Sequence, residues 1–144
     1  MNSVNDICSS ARVIVTCGTG GVGKTSVAAA LGVLASQQGR RCVVITIDPA
    51  RRLADAIGVG SDLGNEPQQV SLDAPGELWV AMLDVRETFD NLVRDISPSP
   101  QRTEEVMNNS FYRSLSRSLS GTRDYMAAER LHELNSDDRF DVVI

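Results

Sequence analysis

The sequence predicts an α/β fold in which a parallel sheet is covered on both faces. Short apolar runs are separated by helical patterns, and this order is that of strand–helix–strand units in a parallel sheet. The runs are apolar throughout rather than alternating, which is typical of strands covered on both faces. With 42% hydrophobic and 23% charged residues, the 144-residue chain is ordinary for one globular domain.

The first strand–helix–strand unit is predicted over residues 12–47. Residues 12–16 (RVIVT) are a β-branched run that indicates a buried strand. From Thr25 to about Gln38 apolar residues recur at helical spacing, and Gly39 supplies a left-handed stop. Residues 42–47 (CVVITI) then predict a second buried strand.

The rest of the chain predicts more helix than strand. A short helix at 50–57 and an irregular loop at 58–76 lead to a third strand at 78–83 (LWVAML). Asp84 then caps a helix that ends at the SPSP run. Its apolar stripe consists of Val85, Phe89, Leu92, Val93 and Ile96. Two more helical patterns follow, one with Phe111, Tyr112, Leu115 and Leu119 that stops at Gly121, and one over about 122–134.

The two ends of the chain are predicted to differ. Residues 1–11 show no pattern and are expected to be a flexible N-terminus. Residues 140–144 (FDVVI) predict a strand with no turn or cap after it. We therefore expect residues 12–144 to be the N-terminal part of a domain that continues beyond residue 144.

Charge and hydropathy exclude several classes of protein. A net charge of −5 and a pI near 4.8 argue against a nucleic-acid partner, because nucleic-acid binding needs clustered positive charge. No stretch approaches the ~20 apolar residues that span a bilayer, so an integral membrane protein is not expected. The first ten residues lack the basic start and apolar block of a secretory signal, which predicts a cytoplasmic protein.

The three cysteines, Cys8, Cys17 and Cys42, predict neither a disulfide framework nor a zinc site. Their number is odd and no two of them have CxxC spacing. We expect small buried side chains together with one loose thiol near the N-terminus.

Residues 18–25 (GTGGVGKT) match the pattern G-x-x-x-x-G-K-[ST] between a predicted strand and a predicted helix. Glycines allow backbone N–H groups to approach phosphate oxygens, and the helix N-terminus adds its positive dipole end. Lys24, the only lysine in the chain, would neutralise the β- and γ-phosphates, and the Thr25 hydroxyl would bind magnesium. The motif predicts a P-loop site for ATP with Mg²⁺.

Phosphoryl transfer also needs a carboxylate near the metal, and two aspartates follow predicted strands. Asp48 follows the second strand, and Asp84 follows the third. Either could instead cap a helix, which is the commoner role for aspartate after a strand. Asp48 is the favoured functional residue because it follows the strand after the P-loop helix.

Three segments carry a resemblance to a known family. They are residues 18–32 (GTGGVGKTSVAAALG), 46–58 (TIDPARRLADAIG) and 125–134 (YMAAERLHEL) before FDVVI. In these the chain resembles the ArsA family of ATPases, which includes arsenite-pump ATPases and factors that target tail-anchored membrane proteins. It looks most like the bacterial branch, and the resemblance runs from Arg12 onward.

The resemblance implies a P-loop ATPase whose parallel, doubly wound sheet has helices on both faces, with an inserted helical subdomain at about residues 84–134. It also implies a nucleotide-bridged dimer with a related ATPase, and an anion, a metalloid or a hydrophobic membrane-protein client. Lys24 and Asp48 would be the catalytic residues. Asp48 would begin the first switch, with Pro49 to Leu53 as the switch itself, and would position the hydrolytic water, so that Asp84 takes a structural role. Thr25 would hold the metal, and the aspartate of the second switch would follow residue 144. The phosphate-binding residues would be Gly20, Gly21, Val22, Gly23, Lys24, Thr25 and Ser26.

Thr19 departs from the family pattern, which usually has a second lysine there that reaches the partner's nucleotide. The subunit is then either weakly active or dependent on a non-identical partner for that charge. The alternative function is a catalytically weak nucleotide-binding scaffold that acts by assembly with a partner ATPase. A P-loop kinase or GTPase is disfavoured by DPARRL, and arsenite binding is disfavoured because Cys17 and Cys42 lie at separate strand ends.

Overall fold

The strands form one mainly parallel sheet. A computed structural model of the chain describes residues 3–47, 52–58, 63–117 and 121–144. Its strands are β1 (Arg41–Thr46), β2 (Gln68–Val70), β3 (Glu77–Met82) and β4 (Val142–Val143). Their spatial order is β2-β3-β1-β4, with β1 parallel to both β3 and β4. The predicted parallel sheet is confirmed, and β2 adds an antiparallel edge strand.

Helices take up most of the remaining described chain. They are α1 (Val4–Ser10), α2 (Lys24–Gln37), α3 (Arg52–Ile57), α4 (Val85–Ile96), α5 (Pro100–Asn108), α6 (Ser110–Arg117) and α7 (Arg123–Ser136). The predicted P-loop helix is α2, which begins within one residue of the expected start. Gly39 follows its end with a φ of +83°, as the predicted left-handed stop requires.

The two faces of β1 contact different helices. Cys42 and Val44 pack in the core cluster that contains the small side chains of α2. Val43, between them, packs in a second cluster with Leu134 of α7 and Phe140. Because successive side chains of a strand point to opposite faces, both faces of the sheet are covered, and this explains why the strand is apolar throughout.

The predicted strand at residues 12–16 is reduced to one isolated parallel bridge between Val13 and Val143. A strand needs a continuing ladder of paired residues, and among the described residues this segment pairs with Val143 alone. Val15 is 72% exposed and has no ladder partner among the described residues. The expectation of a full strand is therefore wrong, although the segment does lie beside β4 as the fold requires.

Three further elements of the structure were not predicted from the sequence: α1, β2 and α5. Residues 4–10, expected to be flexible, form α1, whose start is stabilised by reciprocal hydrogen bonds between Ser3 and Asp6. The loop expected at 58–76 contains β2. Helix α5 was not anticipated because it buries no residue, so its apolar periodicity is weak. Its start does follow a local rule, with Ser99 as the cap and Pro100 in the first turn.

The helices after β3 contact the sheet end through a buried polar junction. The side-chain oxygen of Asn65 accepts hydrogen bonds from the Asp84 backbone N–H (3.3 Å) and the Thr88 hydroxyl (3.1 Å). The Asn65 backbone carbonyl accepts one from Arg130 of α7. Asn65, Thr88 and Arg130 are all buried, so the junction joins α4 and α7 to the segment that precedes β2.

The apolar stripe of α4 packs inward only in part. Phe89 stacks on Tyr112 of α6 with ring centroids 5.6 Å apart. Ile96, at the end of the stripe, is 72% exposed, and Phe111 is also exposed. The predicted positions Leu115 and Leu119 cannot be compared, since the side chain of Leu115 and all of Leu119 lie outside the described residues.

Candidate phosphate-binding site

The glycine-rich turn between residues 16 and 24 has a backbone that other residues rarely adopt. Gly21 and Gly23 have φ values of +79° and +87°, in the left-handed region where a side chain is strained. Gly23 is also the residue that immediately precedes α2. The motif glycines are therefore needed to turn the chain into this helix.

The N-terminus of α2 has no side-chain cap. Gly23 offers no capping atom, and the first turn contains no acidic residue. The first helical hydrogen bond is donated by the Val27 N–H to the Gly23 carbonyl, at 2.9 Å. The first-turn N–H groups and the positive end of the helix dipole are thus left for an anion.

Lys24 turns back over the glycine-rich turn. Its ammonium Nζ donates a hydrogen bond to the Thr19 backbone carbonyl at 2.7 Å. This bond links the first residue of α2 back to the glycine-rich turn. It holds the Lys24 ammonium beside that turn, close to the uncapped N-terminus of α2. A phosphate in the loop would compete with a single carbonyl for this group.

A cavity of about 660 Å³ adjoins the helix end. It lies at the carboxyl end of β1, where ligands bind in open parallel sheets. Its lining residues are Thr16, Gly21, Gly23, Lys24, Thr25, Ser26, Ala28, Val44, Ile45, Thr46, Ile47, Leu53, Asp55 and Ala56. Five predicted site residues therefore line one cavity: Gly21, Gly23, Lys24, Thr25 and Ser26.

The family model for anion-transporting ATPases (ArsA) matches residues 11–144, which is nearly the whole chain. The chain belongs to the ArsA ATPase family. The resemblance stated from the sequence is confirmed, and so is the α/β fold of P-loop type that it implied.

Individual relatives match shorter stretches of this ArsA-family chain. A putative arsenical pump-driving ATPase 1 of Aquifex aeolicus is 33% identical over 79 residues, covering 55% of this chain and 20% of the relative. A putative arsenical pump-driving ATPase of Chlorobaculum tepidum is 44% identical over 59 residues, covering 41% and 14%. An ATPase ASNA1 homolog 1 of Paramecium tetraurelia is 38% identical over 53 residues, covering 37% and 16%. The chain thus spans a fifth or less of the length of these relatives.

The remaining predicted site residues of the ArsA-family chain do not line the described part of the cavity. Gly20 and Val22 belong to the glycine-rich turn but do not line the cavity, and Val22 is exposed. Asp48 and most of the predicted first switch, residues 48–51, lie outside the described residues. Ile47 before this gap and Leu53 after it both line the cavity.

Asp84 has the structural role that the resemblance assigned to it. Its side-chain oxygen accepts a hydrogen bond from the Glu87 backbone N–H at 2.9 Å, which caps α4. It does not line the cavity. His132, the only histidine, is exposed on α7 and likewise does not line the cavity.

The exposed thiol is not the one that the sequence predicted. Cys8 is fully buried in the core cluster and Cys17 is exposed, so the expected loose thiol near the N-terminus is wrong for Cys8. Burial raises the pKa of Cys42 to about 12, with a smaller opposing effect of Arg40, which keeps this group a thiol at neutral pH. In the described part of the chain, no group of three or more His, Cys, Asp or Glu side chains could hold a metal ion.

One acidic residue of the cavity, Asp55, was not predicted from the sequence. It lies in α3, seven positions after Asp48, where no strand-end pattern marks it. A usable signal was the pair Leu53 and Ile57, four residues apart, which packs α3 against the core and so brings this short helix to the site.

No helix among the described ranges is both long and apolar enough to cross a membrane.

Proposed function

We propose that this chain carries the phosphate-binding part of an ArsA-type ATPase that binds ATP with magnesium and hydrolyses it. The observation that carries the proposal is the uncapped start of α2, which lies at a cavity lined by Lys24 and Thr25. Free N–H groups, the helix dipole and an ammonium group together favour a highly charged anion. Membership of the ArsA family supports a nucleoside triphosphate as that anion.

Each loop residue has a role that its chemistry can perform. Backbone N–H groups from Gly20 to Ser26 bind phosphate oxygens, and Lys24 exchanges the Thr19 carbonyl for the β- and γ-phosphates. The Thr25 hydroxyl oxygen suits Mg²⁺, which usually takes one or two protein oxygens and completes its shell with phosphates and water. When bound, the ion neutralises charge on the phosphoryl group being transferred. Asp48 orients the attacking water.

We propose that nucleotide state is coupled to the helical subdomain at residues 84–134. Helix α3 lines the cavity, and Leu63, further along the chain, packs in the same core cluster as Leu53. Asn65, two residues after Leu63, bonds to the start of α4 and to α7. A shift of α3 on nucleotide binding would therefore be transmitted to the helices through this short segment.

The physiological role is proposed from the relatives. The names of two of them, arsenical pump-driving ATPases, support the transport of an anion or metalloid. Targeting of a hydrophobic membrane protein is the other role that the resemblance implies. For either role we propose a cytoplasmic protein that works as a homodimer or as a heterodimer with a related ATPase.

A catalytically weak scaffold is the second candidate function, favoured by Thr19. The chain contains no lysine besides Lys24, so it cannot supply a second loop lysine to a partner's nucleotide. Single-turnover hydrolysis with radiolabelled ATP separates the two candidates. An active ATPase releases phosphate from the bound nucleotide, whereas a scaffold retains ATP unchanged.

Replacing the loop ammonium tests the proposed site. We expect Lys24→Ala to weaken binding of Mg-ATP about 10- to 100-fold, since hydrogen bonds to charged groups contribute roughly 1.5–3 kcal/mol. Isothermal titration calorimetry on the purified protein measures this change.

The matched control is Arg102→Ala, which removes an exposed cation on α5 that pairs with Glu105 and lies outside the cavity. It should bind Mg-ATP like the parent protein. Equal affinities for the parent and Lys24→Ala would contradict the proposed function.

A further inference from the structure

Asp55 is the only acidic residue on the described part of the cavity wall. Its side chain is exposed to the cavity solvent and has no hydrogen-bond or ion-pair partner among the residues that the structure describes. A carboxylate with no visible structural partner therefore lies in the same cavity as the loop that we assign to phosphates.

The position of Asp55 is set by two apolar side chains of its own helix, which pack against the core. Leu53 is almost completely buried in the core cluster that includes Ala28 and Ala29 of α2, and Ile57 packs against the same cluster. Residues four apart lie on one face of a helix, so these two side chains hold α3 against α2. Asp55, between them, is held at the cavity rather than carried on a free loop.

A carboxylate in a phosphate site has opposite effects on two forms of the nucleotide. It repels a bare triphosphate, because like charges several ångströms apart at a protein surface interact appreciably. It attracts the divalent cation that accompanies a metal-bound nucleotide, since Mg²⁺ prefers carboxylate oxygens and its bound waters. The same side chain thus opposes one ligand and favours the other.

We propose that Asp55 is the residue that makes this site discriminate between metal-bound and metal-free nucleotide. Its negative charge would favour the cation of a bound Mg-ATP and would disfavour ATP without the cation. This inference rests on the proposed function, which assigns the cavity to the triphosphate. It adds a specificity-determining residue that neither the loop motif nor the strand-end aspartates include.

The test compares ATP affinity in the presence of Mg²⁺ and in the presence of EDTA, for the parent and for Asp55→Asn. We expect Asp55→Asn to bind ATP more weakly with Mg²⁺ and more tightly with EDTA. The ratio of the two dissociation constants should fall about tenfold. A purely structural role for Asp55 would instead shift both affinities in the same direction.

Two further variants make the test specific. Asp95→Asn removes the same charge from an exposed site on α4 and should leave the ratio unchanged. Asp55→Glu keeps the charge and should restore most of the discrimination. An unchanged ratio in Asp55→Asn with nucleotide binding intact overturns this inference alone. Absence of nucleotide binding by the parent protein overturns the proposed function and this inference with it.

Discussion

At the scale of single residues, two neighbouring arginines show how charge holds the start of β1. Arg40 donates to three backbone carbonyls, those of Cys8, Ala11 and Asp141, and so joins α1 to the chain before β4. Arg41 forms a bidentate pair with the Asp141 carboxylate, which also accepts a bond from the Arg41 backbone N–H at 2.8 Å. These bonds lower the pKa of Asp141 to about 2.

This pKa predicts how stability depends on pH. Because the folded pKa of Asp141 lies below its ordinary value of 3.8, its contribution is present above about pH 4 and is lost as the pH falls through about 2. Asp141→Asn should therefore lower the free energy of unfolding at neutral pH, with the gap to the parent closing between those values. The loss should be modest, since both side chains are partly exposed.

Urea unfolding monitored by fluorescence of Trp79, the only tryptophan of the chain, measures this gap at each pH. Asp73→Asn, in an exposed loop, is the charge-matched control. A gap that persists unchanged at pH 2 would contradict the explanation by the ion pair.

At the scale of elements, the close approach of α2 to the sheet depends on one glycine inside the helix. A Cβ on Gly32 would lie 2.6 Å from Val44 Cγ2 and 2.9 Å from Leu78 Cδ1. Glycine lowers helix propensity, so its presence here has a packing reason. It allows the helix that carries the phosphate loop to lie directly on β1 and β3.

Gly32→Ala should accordingly destabilise the protein by about 1–3 kcal/mol, because the overpacking cost exceeds the gain in helix propensity. Gly64→Ala is the matched control, since a Cβ there meets no atom within 4 Å. Urea unfolding of both variants measures the difference. If Gly32→Ala is as stable as the parent, the helix is not tightly seated on the sheet.

At the scale of the whole molecule, the buried polar junction at Asn65 joins helices α4 and α7 to the segment that precedes β2. Asn65 is 98% buried, and its side-chain oxygen is the acceptor for a backbone N–H and a buried hydroxyl. Arg130 adds a bond to the Asn65 carbonyl and pairs with Glu133 at 2.6 Å. Buried polar groups of this type are costly when one partner is removed.

Asn65→Ala should lower the free energy of unfolding by about 1–3 kcal/mol, since it leaves the Thr88 hydroxyl and the Asp84 N–H without their acceptor. The control is Asn91→Ala, which removes a half-buried asparagine on α4 whose side chain, within the described part of the chain, accepts a hydrogen bond from Arg94 alone. Its effect should stay within about 0.5 kcal/mol. In a double-mutant cycle with Thr88→Val, additive effects would show that the junction does not act as a unit.

Several features of this protein could be predicted because they depend on chemistry between neighbouring residues. The P-loop motif, the start and stop of α2, the cap at Asp84 and the apolar β1 and β3 could be predicted, because each depends on neighbouring residues or on a short hydrophobic period. The family resemblance rested on the same local segments. The role of Asp48 stays a prediction, since that residue lies outside the described part of the chain.

Other features depend on partners that are distant along the chain, and these became clear from the folded structure alone. The segment at residues 12–16 pairs with β4 through a single bridge, and β2 pairs with the free edge of β3. Cys8 is buried because α1 packs on the core that includes α2. Asp55 reaches the cavity because Leu53 and Ile57 dock α3 beside the phosphate loop. Such contacts join residues far apart in the chain. A local pattern such as the spacing of Leu53 and Ile57 indicates an apolar helix face, but it does not say which part of the chain that face packs against.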